Sequence, residues 1–135
     1  ITATDDLPRV RLLRDFTDGT STTMLITEQA GRADYYVRGV RQASNAALSQ
    51  ATSWGTWPSN QVFQVQAFGS DGVTKDGSGC SINCNNSQGI YSFHPGGAAS
   101  SFADGSVRFL SENIDMNVLM GIVTINAGEI IGDDF

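Results

Sequence analysis

The sequence predicts an α+β domain, mainly an antiparallel β-sheet with a C-terminal helix packed on it. Three observations predict it. Glycine is frequent, at 15 of 135 residues, which signals many turns. Apolar-bearing segments 98–103 and 106–110 flank Asp104-Gly105, a strong short-range hairpin signal. Near the C-terminus Val118, Leu119, Ile122 and Val123 recur at helical spacing behind Asp115, a residue suited to cap a helix.

In chain order, 9–15 reads as a strand with Val10 and Leu12 on one face. Asp18-Gly19 is a turn. Segment 22–28, rich in Thr, Met, Leu and Ile, reads as a buried strand closed by Ala30-Gly31. Segment 35–40 is a weaker strand candidate. Segment 42–53 is small and polar, and fits either a short helix from Ser44 or a loop. Segment 61–68 alternates enough to read as a strand. Segment 70–79 is a Gly/Asp/Ser-rich exposed loop. Segment 90–94 is a short strand ended by Pro95-Gly96-Gly97. The hairpin follows, with a two-residue turn at Asp104-Gly105 that requires positive φ at both positions. The helix starts at Asp115 and is expected to stop at Gly128, before a last short strand over 129–131. No repeat or linker divides the chain, so residues 1–135 are read as one domain.

Composition narrows function by exclusion. The net charge is −6, with 8 basic residues in no dense patch, which argues against nucleic acid and against an anionic membrane surface. No apolar run approaches the roughly 20 residues needed to span a bilayer, and no signal peptide opens the chain. Only 16% of residues are charged, a balance commoner in extracellular β-rich proteins.

Several residues invite a chemical reading. Cys80 and Cys84 stand in a C-x3-C spacing; a local disulfide in an oxidising compartment fits, with free thiols or a metal site as the alternatives. His94 is the only histidine, and offers either a metal ligand or general base, or a structural hydrogen bond that fixes the Pro95-Gly97 turn against the Asp104-Gly105 hairpin. Ser92 or Ser100 with His94 and Asp104 makes a triad on paper, but no nucleophile elbow marks it, so no catalytic residue is assigned and the chain is read as a non-enzyme. Asp71 and Asp76 could offer oxygen ligands to calcium, against the simpler reading of a solvated turn; no other cofactor is expected. Trp54 and Trp57, with Tyr35 and Tyr36, suit either core packing or an aromatic platform for a sugar.

The stretch Ile90-Tyr91-Ser92-Phe93-His94-Pro95-Gly96-Gly97-Ala98, followed after nine residues from His94 by Asp104-Gly105, resembles the H-x9-DG family of prepilin-type-processing-associated bacterial proteins. Cys80-Ser81-Ile82-Asn83-Cys84-Asn85-Asn86 is similar to that family's cysteine-asparagine segment. Phe16-Thr17-Asp18-Gly19-Thr20-Ser21-Thr22-Thr23, with Glu28 and Gly31-Arg32, resembles its D-G-T-S-N-T strand and E-x-x-G-R, with Thr22 in place of Asn. The resemblance implies the C-terminal globular half of a longer, pilin-like or pseudopilin-like protein whose N-terminal hydrophobic helix this chain lacks. It further implies an exported head domain, extracellular, on the cell surface or periplasmic. Such a domain would engage in assembly, adhesion or secretion with other pilin-like subunits or surface components, without membrane contact of its own. His94, Pro95, Gly96, Gly97, Asp104 and Gly105 would then hold shape. The rival expectation is a surface module binding glycans or another solute through Trp54 and Trp57.

Overall fold

Among the described residues the elements are, in chain order, β1 (Met24–Thr27), β2 (Tyr36–Val37), β3 (Val40–Arg41), β4 (Gly97–Phe102), β5 (Val107–Ser111) and the α-helix α1 (Met116–Val123). The computed structural model describes residues 12–32, 34–43, 65–75, 77, 79–87 and 89–128. The fold is α+β, with antiparallel sheets and a C-terminal helix. No helix among the described residues is long and apolar enough to cross a membrane.

The β4–β5 hairpin is the longest pairing among the described residues. Gly97 faces Ser111, Ala99 faces Phe109 and Ser101 faces Val107. Its reversal differs from the expected two-residue turn. The Gly105 N–H donates to Phe102 O at 3.0 Å and the Phe102 N–H to Ser106 O at 2.9 Å. Gly105 has φ +86°, while among described non-glycine residues only Arg38 and Asn83 have positive φ. The loop is therefore Ala103-Asp104-Gly105, a turn followed by one left-handed glycine. The physical reason is the Asp104 carboxylate, which accepts from the Ser106 N–H at 2.8 Å and closes a side-chain turn that leaves Asp104 at negative φ. The left-handed pair occurs instead in the β2–β3 hairpin, where Arg38 and Gly39 have φ +47° and +79°.

β1 pairs with β4 in the order β1-β4-β5, with an irregularity between Met24 and Ile26. The expected strand over 22–28 is present but not buried, for Leu25 and Ile26 are exposed. The reason is one-sided cover. The inner sheet face packs Ala98, Phe102 and Leu110 against Leu119 and Ile122 of α1 and against Ile82 and Ile90. Each large apolar chain so buried is worth about 1.5–3 kcal/mol. Buried Ser100 answers Thr27 hydroxyl to hydroxyl at 2.8 Å.

α1 begins as expected, with the Asp115 carboxylate accepting from the Asn117 N–H at 2.8 Å. It ends at Val123 rather than near Gly128, for Thr124 is already extended (φ −81°, ψ 157°). Asp18 supplies the reason. Its carboxylate accepts from the Ala127 and Gly128 N–H groups at 2.8 and 2.9 Å, while the Thr17 N–H donates to Ile125 O at 2.9 Å. These side-chain and loop bonds take backbone groups that a longer helix would need.

Other expectations fare unevenly. Of the expected strand over 9–15 only 12–15 is described, and there residues 13–15 form a short 3-10 turn, with Asp15 accepting from the Leu12 N–H at 2.8 Å. Segment 90–94 makes only single bridges, Ile82 to Ile90 and Gln29 to Tyr91, because side chains take its next backbone groups. Of 61–68 only 65–68 is described, with Phe68 bridged to Cys80. The possible helix from Ser44 and the strand over 129–131 lie outside the described residues.

Gly97 gives the sheet its sharpest steric constraint. A Cβ there would stand 2.0 Å from Leu110 O and 2.8 Å from Phe109 Cε1. Gly97→Ala is expected to cost about 2–3 kcal/mol in urea unfolding. Unchanged stability would contradict the β4–β5 register.

Candidate functional site

The site grows from the segment 80–86. Cys80 and Cys84 are disulfide-bonded, as expected, across a sequence separation of 4. A loop this short gains only about 2 kcal/mol from cross-linking on the chain-entropy account. The asparagines do the wider joining. Asn83 sits at φ +59°, a region that asparagine tolerates better than most residues. Its Nδ2 donates to Gly97 O at 3.1 Å and His94 O at 3.3 Å, and its Oδ1 accepts from the Ser92 N–H at 2.8 Å. Asn85 Nδ2 donates to Gly72 O at 2.6 Å. Asn86, fully buried, donates from Nδ2 to Ala30 O at 3.1 Å and Asp34 O at 2.9 Å, and accepts at Oδ1 from the Tyr36 N–H at 2.9 Å.

His94 does not meet the hairpin turn. It precedes the Gly97 end of β4, while Asp104-Gly105 closes the other end, six residues or roughly 20 Å away along a strand. The expected brace is therefore corrected, because β4 itself separates the two. The imidazole Nε2 instead lies 3.6 Å from Glu28 Oε1, an ion pair only when His94 is protonated. The ring also stands 6.5 Å from that of Phe109. Glu28 carries more structure than His94 does. Its Oε2 accepts from the Ala99 N–H at 2.8 Å and its backbone O from the Tyr91 N–H at 3.1 Å. It thus stands where the chain leaves β1, bonded both to segment 91 and to β4. Pro95 and Gly96 form the exposed bend, with Ser92 Oγ donating to Gly97 O and accepting from the His94 N–H at 3.1 Å.

The neighbouring Gly31-Arg32 pair locks the same region. Gly31 has φ +79°, and a Cβ there would stand 2.9 Å from both Phe93 Cζ and Tyr36 Cδ2. Arg32 donates from Nη2 to Ser87 O, and burial lowers its pKa from the ordinary value.

These elements enclose a cleft of about 590 Å³. The β2–β3 tip, the disulfide, the 93–96 bend and Glu112-Asn113 form its walls. Buried Tyr91 lines it, its hydroxyl accepting from the Gly39 N–H at 3.0 Å; burial raises its pKa. Exposed Phe93 packs edge-on to Tyr36 and Tyr91, at 5.0 and 5.8 Å.

The remaining candidates are scattered. Trp54, Trp57 and Asp76 lie outside the described residues. Tyr35 is core. Asp71 caps its own turn, accepting from the Val73 and Thr74 N–H groups and the Thr74 hydroxyl at 2.9, 2.9 and 2.6 Å. Those bonds, the Thr74 hydroxyl first, hold its carboxyl down at about 2. That use fits the solvated-turn reading. Among the described residues no group of three His, Cys, Asp or Glu could hold a metal. The paper triad is not assembled: Ser92 is bonded to backbone, Ser100 to Thr27, and Asp104 to its own turn. Sequence reasoning assigned no role to Glu28, Arg38 or the asparagines. Glu28 and the asparagines stood out only within the motifs that resemble the H-x9-DG family, and Arg38 through no motif.

Glu28 and His94 separate experimentally. Glu28→Ala orphans the Ala99 N–H and is expected to cost about 1–3 kcal/mol, whereas His94→Ala removes only an exposed pair and costs under about 1 kcal/mol. Urea unfolding of both variants checks the order, and a larger loss for His94→Ala would reverse the assignment.

No curated protein and no solved structure matches the chain. A family model described as a protein of unknown function, DUF1559, matches residues 8–117. The match takes in the Glu28, asparagine, His94 and Asp104-Gly105 segments together, and the chain belongs to that family.

Proposed function

We propose that this domain is the exported structural head of a pilin-like or pseudopilin-like surface protein, and that it packs against like subunits or surface components in assembly, adhesion or secretion. One observation carries the reading. The outer face of the three-stranded sheet is apolar and open. Ile26 and Val107 are each 70% exposed and Phe109 is 52% exposed. They flank the small residues Ala99 and Ser101 of the central strand. Grouped exposed apolar side chains mark interaction surfaces far more than isolated ones do. The disulfide supports export to an oxidising compartment. The H-x9-DG spacing from His94 to Asp104-Gly105 supports the pilin-like assignment.

Val107→Asp tests the reading in the full-length protein expressed in its own bacterium. An Asp at a position this exposed leaves thermal unfolding of the purified domain within about 2 °C of wild type. Placed in an interface it desolvates an unpaired charge, so recovery of the protein in sheared surface material falls roughly tenfold or more. Full recovery would remove the sheet face from assembly.

A further inference from the structure

We infer that the cleft between the Arg38-Gly39 tip and the Glu112-Asn113 turn is a binding site for a neutral saccharide, separate from the outer sheet face. Its volume, about 590 Å³, falls within the range of roughly 300–1,000 Å³ typical of small-molecule sites. Three of its side chains are unspent. Among the described residues, Arg38, Glu112 and Asn113 make no side-chain hydrogen bond or ion pair, yet their backbones are fixed. The Arg38 N–H donates to Cys84 O at 2.9 Å, the Glu112 N–H to Gly96 O at 2.8 Å, and the Asn113 N–H to Ser111 Oγ at 3.1 Å.

Arg38 adds a second signal. A non-glycine residue at φ +47° is held in a sparsely populated conformation. Such residues concentrate at functional sites. A solvated hairpin tip without other duties would favour Asn or Gly there.

The chemistry of the walls selects the ligand class. Arg38 only donates hydrogen bonds, the Glu112 carboxylate only accepts, and the Asn113 amide does both. Vicinal hydroxyls can answer all three at once. The lining carries both the cationic Arg38 and the anionic Glu112, with His94 drawn to Glu28, so an anion would meet Glu112 and a cation would meet Arg38. A neutral polyol meets neither penalty. Phe93, 56% exposed, offers a ring for the apolar C–H face of a sugar. An apolar ligand would strand the polar walls without partners.

The test is a ¹H–¹⁵N NMR titration of the whole chain with maltose, cellobiose and N,N′-diacetylchitobiose up to about 20 mM. At least one is expected to shift the amides of Arg38, Gly39, Gly96, Glu112 and Asn113 with saturation. Glu112→Gln and Arg38→Gly, the latter compatible with the left-handed backbone, each weaken that binding roughly fivefold or more without lowering the thermal midpoint. Shifts from none of the three, shifts centred elsewhere, variants that bind as wild type, or tighter binding of glucuronate than of the neutral sugars would each overturn the proposal.

Discussion

Outside the hairpins and α1 the described residues must still satisfy their buried backbone groups, and here side-chain amides do that work. The Asn86 amide ties the approach to β2 together, bonding the Tyr36 N–H and the Ala30 and Asp34 carbonyls. Asn83 does the same for Ser92, His94 and Gly97. An amide suits the task because it carries donors and an acceptor without a charge to desolvate. The disulfide beside these residues fixes a short loop, but the amides hold together segments that are distant in sequence.

That arrangement explains the spacing of the sequence landmarks better than a direct contact between them would. The nine residues between His94 and Asp104 span the Pro95-Gly96 bend, the whole of β4 and the first loop residue. The interval measures a strand. His94 marks where the strand begins and Asp104-Gly105 where it reverses. Glu28, at the β1 exit, meets the first of these and caps β4 at Ala99. The cleft is the space left where the bend, the disulfide loop and the Arg38 tip converge without filling it.

Much of the architecture was legible in local chemistry. The β4–β5 hairpin followed from Asp104-Gly105, the helix start from Asp115, and the cross-link from Cys80 and Cys84. Each is decided by neighbours a few residues away. What was not legible was decided at long range. The helix ends early because Asp18 claims its C-terminal flank across more than 100 residues of chain. The Glu28–His94 pairing joins positions 66 apart, as the Arg32 bond to Ser87 joins positions 55 apart. β1 read as buried from its apolar content, although sheet order decides which face is covered. The Asp104 turn type depended on one side-chain bond that no propensity encodes.

Native-state amide hydrogen exchange tests the central claim most directly. The Tyr36 and Ser92 N–H groups have side-chain amide oxygens, not β-ladder carbonyls, as their acceptors. If Asn86 and Asn83 hold the fold together, both exchange only with global unfolding, as slowly as the β4 amides. Exchange of either at rates typical of open loops would contradict the account.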